Sequence, residues 1–87
     1  MSESEKPKKV RDNRPHDERF TALSIAFAEC KAAAYASRKV NDCSASKILM
    51  KSGVQRSYLY GDRIADKTIQ NVYHKIATDI QDFRDGF

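Results

Sequence analysis

The chain has 87 residues, a formal net charge of +4 and 40% hydrophobic residues, which allows one small domain with a marginal core. No apolar run approaches the ~18–20 residues of a membrane span, and no apolar stretch follows the start as in a signal peptide, so a cytoplasmic chain with no membrane partner is expected. Gly and Pro are scarce and alternating β-branched runs are missing, which predicts an all-α fold, a small helical bundle of about four helices.

Residues 1–16 are charged, carry both Pro7 and Pro15, and offer Val10 as their one aliphatic residue beyond the start. Such a segment buries too little apolar surface to offset its ordering entropy, so it reads as a disordered charged arm. Its Lys6-Pro7-Lys8-Lys9-Val10-Arg11 cluster has the composition of basic arms that reach phosphates or a minor groove. A helical domain is expected over 17–87.

The first helix is predicted from Asp17, as N-cap, to Ser37. Phe20, Leu23, Phe27, Cys30 and Ala34 recur at spacings of three and four and make one apolar stripe. Arg38 to Cys43 is a connector. A second helix over Ser44 to Lys51 is capped by Asp42 or Ser44 and turns Ala45, Ile48 and Leu49 inward.

Gly53 stands where the chain must turn with positive φ, and Val54 follows as a buried anchor. Gln55 to Tyr60 is then a short third helix with Leu59 inward. Helix, turn and helix in this order are the layout whose second helix enters the DNA major groove. The last helix starts near Asp62 or Asp66 and runs to Phe83. Its Ile69, Tyr73, Ile76, Ile80 and Phe83 follow a 4-3-4-3 spacing that suits either the first helix or a partner, including a second copy in a homodimer.

Charge adds to the motif. Residues 1–19 sum to +1, residues 20–60 to +4 and residues 61–87 to −1, so the excess lies in the segment holding the turn. Clustered positive charge is the electrostatic footprint of a polyanion binder. Counted from Gly53, the outward residues are Gln55, Arg56, Ser57 and Tyr60, with Tyr58 flanking them or closing the domain. Arg pairs with guanine edges, Gln with adenine edges, and Ser and Tyr hydroxyls with phosphates. Lys47, Lys51 and Arg63 complete the candidate DNA-binding set, with double-stranded DNA as the partner.

The stretch Ser44 to Tyr60 resembles the N-terminal DNA-binding region of TetR-type repressors, where a Gly-Val-Ser-Arg turn leads to an aromatic Tyr. Gly53-Val54-Gln55-Arg56-Ser57-Tyr58-Leu59-Tyr60 carries that pattern with Gln55 in place of Ser. It is also similar to KfrA-type plasmid regulators and to small accessory proteins of mobile-element recombinases. The resemblance implies a small transcriptional regulator or a recombination accessory factor, with a recombinase as one protein partner. It covers seventeen residues. Leu49 stands where the family often has Ala, Gly61-Asp62 ends the helix early, and the chain lacks the length for a TetR ligand-binding domain. The alternative is a protein-interaction adaptor or inhibitor docking through its C-terminal helix.

Catalytic chemistry is not expected, so the chain reads as a binding protein and not an enzyme. Cys30 and Cys43 read as reduced, buried small hydrophobes, and neither stands with His16 or His74 at metal-ligand spacing. No metal site or cofactor is expected. The three glycines are isolated, so no phosphate loop occurs, and Asp79, Asp82 and Asp85 read as a solvated acidic face.

Overall fold

A computed structural model describes residues 14–87, and the basic cluster Lys6–Arg11 lies outside the described residues. Four α-helices and one 3-10 turn follow each other: α1 (His16–Ser37), the turn Val40–Cys43, α2 (Ala45–Ser52), α3 (Arg56–Tyr60) and α4 (Lys67–Gly86). The fold is an all-α bundle, with no strand among the described residues.

The helix starts follow local chemistry with one change. Pro15, not Asp17, holds the N-cap position of α1, and its carbonyl accepts from the amides of Glu18 and Arg19, both at 3.1 Å. Asp17 and Glu18 sit instead in the first turn, where the helix dipole favours carboxylates. The arm therefore ends earlier than the sequence suggests: Arg14 and His16 are half-buried and hydrogen-bonded into the domain. Ser44 caps α2 by accepting from the Lys47 amide at 3.2 Å. Asp42, the competing cap, bonds the Ser37 hydroxyl and the Lys47 ammonium. Asp66 caps α4, accepting from the amides of Thr68 at 2.9 Å and Ile69 at 3.3 Å.

The buried face of α1 is Arg19, Leu23, Ala26, Cys30 and Ala34. Phe20 and Phe27 stand half-buried at its edge. Small side chains at 26, 30 and 34 let α2 and the 3-10 turn lie close against α1, whereas α4 is held off by aromatic rings. Phe20 meets Tyr73 of α4 at 4.6 Å between ring centroids, and Phe27 meets Phe83 edge-on at 6.1 Å. Leu49 is buried with Ile48, so the larger residue before Gly53 is accommodated in the core.

Of the two uses that the spacing on α4 allows, packing within the chain accounts for most of it. Tyr73 and Ile80 are buried, while Ile69, Ile76 and Phe83 are half-buried against the same core. Among the described residues α4 packs this face on α3 and α1, so most of it is spent inside the molecule. Gly61 and Arg84 tie the two ends of α4 down. The Gly61 carbonyl accepts from Gln70 Nε2 and His74 Nε2, both at 2.9 Å. Arg84 Nη1 donates to the carbonyls of Val40 and Cys43, both at 3.1 Å. No helix among the described residues is long and apolar enough to cross a membrane.

Candidate nucleic-acid interface

The geometry of the candidate site begins at the end of α2. Gly53 takes φ 72° and ψ 13°, and its amide donates to the Leu49 carbonyl at 2.9 Å. Ser52 is buried and bridges the turn: its hydroxyl donates to Leu49 O at 3.1 Å and accepts from the Val54 amide at 3.3 Å. Val54 is buried, and Gln55 has extended backbone, so the chain leaves α2 and starts α3 within three residues.

A helix of five residues is far below the length that is stable in isolation, so tertiary contacts must hold α3. Leu59 is fully buried. Tyr58 is 8% exposed, stacked on Tyr73 at 5.7 Å, with the Arg19 guanidinium 4.4 Å from its ring centroid on one side and Arg63 at 5.1 Å. Of its two expected places, beside the outward residues or closing the domain, Tyr58 takes the second. Arg19, which lies outside the apolar stripe read for the first helix, is buried and donates to Tyr73 Oη at 3.1 Å and His16 Nδ1 at 2.8 Å.

The outward side of α3 gathers five of the expected residues. Arg56 and Tyr60 are exposed, and Gln55 and Ser57 are half-buried. Arg63 folds back from the following loop, donating to Gln55 Oε1 at 3.0 Å and Ser57 Oγ at 3.3 Å. Arg56 donates to Ser46 Oγ at 3.0 Å and lies 5.3 Å from the Tyr60 ring centroid. Neither Arg56 nor Arg63 has a carboxylate within ion-pair distance among the described residues.

Lys47 and Lys51 stand apart from this group. Lys47 Nζ lies 3.1 Å from Asp42 Oδ1, and Lys51 Nζ lies 3.5 Å from Glu29 Oε1 on α1. Both pairs stand at the solvent-facing surface, where ion pairs are weak, so either ammonium is released to another anion at little cost. The Ser37 hydroxyl, and then Lys47, hold the Asp42 carboxyl below its ordinary value.

Sequence reasoning missed Ser46 and Arg14. Ser46 meets Arg56 across ten residues, a contact that no spacing rule reports. Arg14 Nη2 donates to the Ser52 carbonyl at 3.0 Å, which delivers the chain preceding α1 beside the turn between α2 and α3. Cys30 and Cys43 are free and buried, and burial pushes both thiols up, which keeps them protonated. Among the described residues no three His, Cys, Asp or Glu side chains group to hold a metal. The sequence matches no protein-family model, no curated protein and no solved structure.

Proposed function

We propose that the chain is a cytoplasmic DNA-binding protein, a binding module and not an enzyme, that presents α3 to the major groove of double-stranded DNA. α2, the turn and α3 then act as a helix-turn-helix, with Gln55, Arg56 and Ser57 facing base edges. Arg63 and Tyr60 flank them, and Lys47 and Lys51 supply phosphate contacts. The resemblance of this segment extends the proposal to a small transcriptional regulator or a recombination accessory factor of a mobile element, working as a homodimer.

One observation carries the reading. Among the described residues, Arg56 and Arg63 stand at the exposed start of α3 with only neutral oxygens and aromatic faces as partners. A guanidinium held by a hydroxyl or an amide keeps most of its charge unneutralised. Exchange of that neutral partner for a phosphate or for guanine O6/N7 is favourable, because charge-assisted forks are the stronger bonds.

The test is fluorescence anisotropy of the full chain with random duplex DNA at about 50 mM and about 200 mM salt, the range over which counterion release shows. Affinity that falls steeply between the two supports DNA contact. Absence of binding at the lower salt overturns the proposal.

A further inference from the structure

The ends of α1 and α4 farthest from α3 form a second surface. Tyr35 is 65% exposed and Phe87 45% exposed, which is unusual for large aromatic side chains. They pack with Phe83: Tyr35 meets it edge-on at 5.5 Å, and Phe87 lies 5.7 Å from both rings. The three rings, with Gly86, line a hollow of about 590 Å³ whose rim carries Arg38 and Asp82. Neither charged side chain has a hydrogen-bond or ion-pair partner among the described residues.

We propose that this patch is the isologous interface of a homodimer, in which each copy's Phe87 and Tyr35 enter the other's hollow and Arg38 of each copy pairs with Asp82 of the other. The occupant is a second copy because the surface is complementary to itself. A two-fold axis through an aromatic centre rimmed by one cation and one anion brings each charge to its opposite. Aromatic side chains at the centre and charged groups at the rim are also the usual anatomy of a protein interface.

Dimension supports the same occupant. α3 packs on α4 at Tyr73, and the patch begins ten to fourteen residues further along α4, about 15–21 Å at 1.5 Å per residue. With the two α4 axes collinear across the interface, the α3 helices stand ~30–42 Å apart, a span that includes the ~34–36 Å between half-sites one turn apart on DNA. This dimensional argument rests on the DNA-binding reading; the interface itself does not.

The experiment is sedimentation equilibrium of the full chain without DNA over a concentration series, so failure of the DNA reading leaves the result intact. The native chain is expected to dimerise, and Phe87→Asp to weaken the dimer by about tenfold or more, since it places a charge in a desolvated aromatic contact. Arg38→Glu and Asp82→Arg are each expected to weaken it, and the double variant to recover it, because the swapped pair meets across the axis. Both charges are surface groups, so helicity by circular dichroism should stay native in all three. A native chain that is monomeric at every concentration, a dimer indifferent to Phe87→Asp, or a double variant as weak as either single one overturns the proposal.

Discussion

Substitution of Gly53 by Ala isolates the backbone cost of the turn that aims α3. Gly53 adopts φ 72°, in the left-handed region. A Cβ there would meet only Arg14 Nη2 at 3.7 Å, an ordinary contact, so no collision contributes. The cost is the conformational one, about 1–2 kcal/mol for an L-residue in that region, and the loss of unfolded-chain entropy on going from Gly to Ala offsets part of it. The expected net destabilisation is about 1 kcal/mol, which lowers the melting temperature of a domain this size by roughly 4–8 °C. Urea unfolding followed by circular dichroism should show the same change as a lower midpoint with an unchanged slope. Gly53→Asn should lose less, because its short polar side chain tolerates the left-handed region. An Ala variant as stable as the native chain would refute the reasoning, since Gly53 could not then be left-handed in solution.

Three further outcomes are expected. Arg56→Ala should cost about 1–3 kcal/mol of specific DNA binding and relax preference at one base position; unchanged affinity and preference would remove Arg56 from the reading surface. Lys51→Ala should reduce the slope of log affinity against log salt by about one, and an unaltered slope would leave Lys51 committed to Glu29. For Asp42 the sign follows from its lowered folded value. Its contribution to stability is present above the ordinary 3.8 and lost as pH falls through the folded value. Asp42→Asn should therefore be less stable than native near neutral pH, with the two urea midpoints converging at acid pH; a gap that persists at low pH would place the effect elsewhere.

Signals read from one residue's own chemistry succeeded at the turn and at the start of α2, and failed at the start of α1, where Pro15 and not Asp17 holds the N-cap position. Gly53 turns the chain because only glycine adopts that φ without penalty, and Ser44 caps α2 because a short oxygen-bearing side chain precedes an apolar-periodic run. Asp66, read only as one of two starts for the last helix, caps it by the same chemistry. The all-α bundle follows from the same local signals. Readings that depend on which faces meet did not follow. Phe20 and Phe27 look like core on spacing, yet both stand half-buried at its edge while the small Ala26 is buried. Spacing left Tyr58 either flanking the outward residues or closing the domain, and the contacts that decide it come from Arg19 and Tyr73, neither of which is near it in sequence. Within the candidate interface, Arg56 could be placed because it is counted from the turn. Its contact with Ser46 and the return of Arg63 onto Gln55 could not, since loop geometry decides both.

These contacts also explain how so short a helix becomes a usable surface. A five-residue helix lacks the length to hold its own hydrogen bonds, so every restraint on α3 comes from its neighbours. On the inner side, Leu59 and Tyr58 are buried, and Tyr58 is fixed between a buried guanidinium and the Tyr73 ring. At the two ends, the Ser52 bridge sets the start, and the Gly61 carbonyl, held by Gln70 and His74, sets the finish. The outer side is left to arginines with exchangeable neutral partners. Rigidity is thus supplied from behind and adaptability kept in front, so a ligand meeting α3 has only side chains to reorganise. That division predicts that loss of packing behind α3 and loss of charge in front of it have different signatures: the first lowers stability and affinity together, the second lowers affinity alone.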